Sequence, residues 1–190
     1  IVISADEIKK RLPGYSPLNV ERLHRRSTRI ADNEFYKQVK RSKLKKVIIL
    51  NGGTAAGKTE FLLTKLSSQN TVILDGTMSS IEGIRIKSKA VEKYGKELEI
   101  YSVVPYSLKR SFIAFLNRDR KFNDKHFYKT HSGSRKALLW VSKNRTKVKI
   151  NLVESFYNLN NKLNFRKIEF HNRISLIKFL KSIQMSESDI

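Results

Sequence analysis

Gly52-Gly53-Thr54-Ala55-Ala56-Gly57-Lys58-Thr59 fits the G-x-x-x-x-G-K-[ST] spacing of a phosphate loop. Small residues at these positions let successive backbone N–H groups converge on phosphate oxygens, and the helix that follows adds the partial positive charge of its N-terminus. In this pattern Lys58 reaches the β- and γ-phosphates and the Thr59 hydroxyl binds Mg²⁺. An ordinary glycine-rich turn would give the same letters, so the flanks decide. Val47-Ile48-Ile49-Leu50 predicts a strand leading in, and Glu60 to Leu66 predicts a helix leading out with Leu62, Leu63 and Leu66 on one face. The expected ligand is a nucleoside triphosphate, ATP or GTP, with Mg²⁺.

Two carboxylates stand where predicted strands end. Ile1 to Ser4 reads as a buried strand delivering Asp6, and Thr71 to Leu74 as one delivering Asp75. Open parallel sheets place ligands and catalytic groups at those ends. Asp75 is expected to hold Mg²⁺ through water or to bind substrate, because Mg²⁺ takes one or two carboxylates and keeps much of its hydration. Arg118, Arg120 and Arg135 follow the fourth strand, with Arg110 earlier on the same helix. Small-molecule kinases bring such arginines over the transferring phosphoryl group. Each of the three is equally well read as a surface charge. Phe122 to His131 reads as a polar, mobile segment suited to a lid, with His126 and His131 more readily solvated than in contact with substrate.

The remaining elements must position these groups. Pro13-Gly14 breaks a short helical turn over 8–12, and Ser16 with Pro17 predicts the start of a long amphipathic helix over 17–40. Its outer face carries Arg22, Arg25, Arg26 and Arg29. Further on come a helix over 81–94 closed by Gly95, a strand over 97–104 stopped by Pro105, and a helix capped by Ser107. A helix over 135–143, a strand over 148–153 and a helix over 174–183 complete the pattern. About five apolar strands alternating with helices predict an α/β fold, a mainly parallel sheet with helices on both faces.

A chain of 190 residues suits one domain, with a strand-helix segment over 1–45, a phosphate-loop core and lid over 46–184, and a frayed tail over 185–190. There is no Cys, which removes disulfides and thiolate chemistry, and no run approaches the ~20 apolar residues a membrane span needs. A cytoplasmic setting is expected. The chain opens on Ile1 rather than Met and is expected to have an upstream part. Lys and Arg number 39 against 17 Asp and Glu, a net charge of +22. That balance points to a polyanionic partner: nucleic acid, an acidic protein or a phosphorylated substrate. A lysine-rich genome would give the same surface with no function attached, and the charges are spread rather than gathered in an arm.

Together, the phosphate loop, the Ala5-Asp6-Glu7-Ile8-Lys9 to Leu12-Pro13-Gly14-Tyr15 segment, and Ile73-Leu74-Asp75-Gly76-Thr77 resemble the zeta toxin family of P-loop kinases. The resemblance covers nearly the whole chain, but the aspartate segment precedes the phosphate loop here instead of following it. The chain therefore resembles a circularly permuted relative; otherwise residues 1–45 are an unrelated helical preface. The resemblance implies that Asp6 is the general base and that ATP phosphorylates a hydroxyl of a nucleotide-linked small molecule such as UDP-N-acetylglucosamine. A relative acting on NAD or another nucleotide would look the same. It also implies toxin activity and an acidic antitoxin-like partner. Two other functions stay open: a polynucleotide kinase acting on RNA or DNA ends, and a non-enzymatic basic nucleotide-binding module docked on an acidic protein.

Overall fold

The computed structural model describes residues 1–120 and 122–186. The last four residues of the expected frayed tail lie outside the described residues. Among the described residues six strands form one sheet in the order β1-β3-β2-β4-β5-β6. They are β1 (Val2–Ser4), β2 (Lys46–Asn51), β3 (Val72–Asp75), β4 (Glu97–Pro105), β5 (Lys149–Tyr157) and β6 (Leu163–Ile168). The first five run parallel, and β6 pairs antiparallel with β5. The sheet is thus one strand larger than expected. β6 escaped notice because it is a half-exposed edge strand, Leu163-Asn164-Phe165-Arg166-Lys167-Ile168, with few apolar residues to mark it. β1 is an edge strand too, and Val2 is half exposed.

Alternate residues of the central strands serve two cores, as the two-residue period of a strand requires. Val47 and Ile49 of β2 pack with Ala31, Phe35, Val39, Ile84, Val91, Leu138, Val141, Leu176 and Leu180. These belong to helices α2 (Val20–Arg41), α4 (Ile81–Lys93), α6 (Asp124–Asn144) and α7 (Arg173–Ser182). Ile48 and Leu50 point the other way, onto Ala56, Phe61, Leu62 and Leu66. Helices cover both faces.

The helix after the phosphate loop is α3 (Lys58–Phe61), continued by a π-helical segment over Leu62–Leu66. The wider turn rotates Leu63 off the apolar face, and it is 63% exposed while Leu62 and Leu66 are buried. The long helix starts at Val20 rather than residue 17. Asn19 explains this: its side chain accepts from the Ser16 N–H at 2.9 Å and donates to the Gly14 carbonyl at 2.6 Å, holding residues 16–19 in a turn. Before it lies the short helix α1 (Ala5–Lys10), which begins directly after β1 and carries Asp6 in its first turn. Helix α5 (Leu108–Leu116) is capped by the Ser107 side chain, as expected.

The largest correction concerns Phe122 to His131. Rather than a polar mobile segment, residues from Asp124 onward are the first turns of α6, started by the Asn123 side chain accepting from the Lys125 N–H at 2.9 Å. Phe127, Thr130, His131, Ser132 and Ser134 are buried. Thr130 and His131 face the phosphate loop, and Ser132 and Ser134 donate to the carbonyls of Met185 and His131, so all four are buried on polar partners that hydropathy does not register.

Candidate active site

β2 ends at Asn51, whose side chain donates to the Ser134 carbonyl at 3.1 Å and accepts from Ser102 Oγ at 2.7 Å. This ties the start of the phosphate loop to α6 and β4. A Cβ on Gly52 would lie 2.3 Å from the Val103 carbonyl oxygen, and one on Gly53 would lie 2.2 Å from the His131 ring. Only glycine fits at either place. Lys58 is buried and donates from Nζ to the Gly53 carbonyl at 2.7 Å. Burial lowers its pKa to about 8, against the opposing pull of Asp75.

Parallel pairing of β1 with β3 sets Ser4 opposite Asp75, so both strand-end acids come to one edge of the loop. Asp75 Oδ2 accepts from Thr59 Oγ1 at 3.3 Å and from Ser4 Oγ at 3.5 Å. Burial raises the Asp75 pKa, with Lys58 opposing. A hydroxyl and a carboxylate side by side fit Mg²⁺, which takes few protein oxygens and retains water. Among the described residues no cluster of three or more His, Cys, Asp or Glu could form an all-protein cage.

Asp6 is half exposed and bound on both oxygens, to Lys9 Nζ at 3.0 Å and to Arg120 Nη1 at 2.6 Å. Burial acts to raise its pKa, but Arg120 and then Lys9 outweigh that and bring it to about 2. Asp6 is therefore ionised at neutral pH.

A cavity of about 350 Å³ joins these groups. Asp6, Thr54, Ala55, Ala56, Gly57, Lys58, Thr59, Asp75, Arg118 and Arg120 all line it. Arg135 does not line it; it lies on α6 and donates to the His131 carbonyl at 3.1 Å. Arg110 is turned elsewhere, donating to Asn161 Oδ1 at 2.9 Å. His126 lines the cavity and stacks on Phe122 with ring centroids 4.3 Å apart. Burial, and then His24, brings the His126 imidazole to about 4, so it is neutral at pH 7. His131 is fully buried, not solvated, and bonded to the Thr54 carbonyl at 2.9 Å.

Several lining residues were not singled out from the sequence: His24, Thr28 and Asp32 of α2, and Lys87 of α4, which pairs with Asp32 at 2.9 Å. Nothing local marks them, since they share helices with exposed charges. One signal was available. The run Thr130-His131-Ser132-Gly133-Ser134 is small and polar inside a helix, which indicates another chain segment close by. A Cβ on Gly133 would lie 2.3 Å from the Ser79 carbonyl oxygen.

Sheet, loop and flanking carboxylates define an α/β fold of the P-loop kinase-like type. The fold is similar to that of a chain in the crystal structure of AvrRxo1-ORF1:AvrRxo1-ORF2 with sulphate ions, at a TM-score of 0.54 and 11% identity, covering 85% of this chain and 74% of that one. The likeness is one of fold. No protein-family model matches the sequence, and no curated protein matches it. Among the described residues no helix is long and apolar enough to cross a membrane.

Proposed function

We propose that this protein is an ATP-dependent phosphotransferase acting on an alcohol, a single domain in which residues 1–45 stand as the permuted aspartate segment. What supports the reading most is the convergence of Asp6, Lys58, Asp75, Arg118 and Arg120 on one cavity with the phosphate loop. Loop N–H groups and Lys58 hold the β- and γ-phosphates. Mg²⁺, held through Thr59 and Asp75, would neutralise phosphate charge. Asp6 accepts the proton of the acceptor hydroxyl as its oxygen bonds to the γ-phosphorus and the bond to the β-bridging oxygen breaks, releasing ADP. A carboxylate of low pKa suits this order of events, because the proton moves late in a loose transition state. Arg118 and Arg120 stabilise the equatorial oxygens.

The acceptor is a hydroxyl of a nucleotide-linked small molecule; UDP-N-acetylglucosamine and a toxin role come from the zeta toxin resemblance. A second reading, a nucleotide-binding module docked on an acidic protein, draws on Arg22, Arg25, Arg26 and Arg29, all exposed on the outer side of α2. Transfer from labelled ATP into sugar nucleotides, NAD and oligonucleotides separates the readings. Label in a sugar nucleotide or NAD supports the first, and label in oligonucleotide ends favours a polynucleotide kinase. ATP binding without transfer to any of them favours the module.

A further inference from the structure

The phosphate loop is gripped from behind by α6 at two successive peptide groups. Thr130 Oγ1 accepts from the Thr54 N–H at 3.0 Å, and the Thr54 carbonyl accepts from His131 Nε2 at 2.9 Å. A carbonyl cannot donate, so the His131 proton is on Nε2. Nδ1 is then free to accept from Arg135 Nη1 at 3.3 Å, which fixes that tautomer. The His131 ring also fills the space where a Gly53 side chain would be.

The consequence follows from the trans peptide, whose N–H and C=O point in opposite directions. No cis peptide bond is present among the described residues. With the Thr54 N–H turned back to Thr130, the Gly53 carbonyl turns forward, where Lys58 Nζ takes it at 2.7 Å. With the Thr54 carbonyl turned back to His131, the Ala55 N–H turns forward into the cavity. That second orientation is unfavourable on its own, because Ala55 adopts φ +63°, a left-handed conformation that a residue with a Cβ avoids. Something must hold it.

We infer that Thr130 and His131 are positioning residues of the phosphate loop, fixing the Thr54 peptide groups so that Lys58 and the Ala55 N–H face a bound triphosphate. Arg135 acts one step further back, through His131. The inference rests on the nucleotide-binding reading above and assigns α6 a part in it.

The test is binding of a non-hydrolysable ATP analogue to the full chain, read beside thermal melting. Thr130→Val, which keeps the shape and loses the acceptor, and His131→Leu are each expected to weaken binding about tenfold, the factor for one buried hydrogen bond left unmade. Thr130→Ser and His131→Gln, which keep the hydroxyl and an N–H donor, are expected to restore it. Ala55→Gly in the His131→Leu background is expected to recover part of the loss, because glycine adopts positive φ without a clamp. KM for the acceptor should stay unchanged throughout. If His131→Leu melts near the assay temperature, Thr130→Val with its serine control carries the test. Wild-type affinity in Thr130→Val overturns the inference, as does equal weakening in Thr130→Ser and His131→Gln. Failure of the unmutated protein to bind the analogue overturns the nucleotide reading itself.

Discussion

Arg120 Nη1 lies 2.6 Å from Asp6 Oδ2, while Lys9 occupies the other carboxylate oxygen at 3.0 Å. The proposed base and a proposed phosphate-stabilising arginine thus neutralise each other across the cavity. On the proposed mechanism a bound γ-phosphate would give Arg120 a second anion to pair with, freeing Asp6 Oδ2 for the acceptor hydroxyl.

Asp6 is expected to titrate near pH 2, and Arg120→Ala to move it up toward the ordinary carboxylate range, read by carbon NMR of the carboxyl group. The folded value lies below the unfolded one, so the stability it contributes is present above the ordinary carboxylate value and lost as pH falls through about 2. Titration near 4 in both proteins would remove the ion pair. Asp6→Asn is expected to lower turnover while sparing ATP affinity.

Lys58 carries a depressed pKa of about 8, and bound phosphates favour its charged form. ATP binding near pH 8 should therefore take up a proton, seen as a dependence of binding enthalpy on the buffer's ionisation enthalpy. Affinity should fall as pH rises through about 8. For folding the sign is opposite: between about 8 and the ordinary lysine value the unfolded chain holds more protons, so stability rises with pH there. Lys58→Ala is expected to abolish transfer. It also leaves the Gly53 carbonyl without its 2.7 Å partner, so some loss of melting temperature is expected as well.

Arg118→Ala and Arg120→Ala should each cut kcat by about 10² to 10³ with a smaller effect on ATP affinity, as for donors felt mainly in the transition state. Arg135→Ala should instead act on ATP binding, through His131. A kcat effect confined to Arg135 would reverse these placements.

Amide exchange over Phe127 to His131 is expected to be slow without ligand, because these residues are buried in a capped helix. Added protection on binding ATP should fall on Asn117 to Arg120, between α5 and α6. Fast exchange over 127–131 that slows only with ligands would restore a lid there.

The strand, glycine turn and helix start over 46–61 and the strand ending at Asp75 were legible because each is a local pattern: a spacing of glycines, or an apolar run broken by an acid. Helix α2 was legible from its period, apart from the Asn19 side chain that delays its start. The first half of α6 and strand β6 were not, because hydropathy reports burial of apolar atoms only. Thr130 and His131 are buried on polar partners, and β6 gains its place from hydrogen bonds to β5.

By itself the sequence determined a phosphate loop in an α/β chain with two acids at strand ends. Only the tertiary structure decided which acid goes with which group. Pairing of β1 against β3 sets Ser4 opposite Asp75 and so brings Asp6, at the start of α1, to the same edge of the sheet, although 68 residues lie between the two acids in the chain. The same packing lays α6 behind the loop, so that Arg135, one of three similar arginines in the sequence, supports His131 while Arg118 and Arg120 face the cavity. The physical reason is range. Propensity and period act over a few residues, whereas strand order and helix placement are settled by burying two apolar faces of one sheet at once.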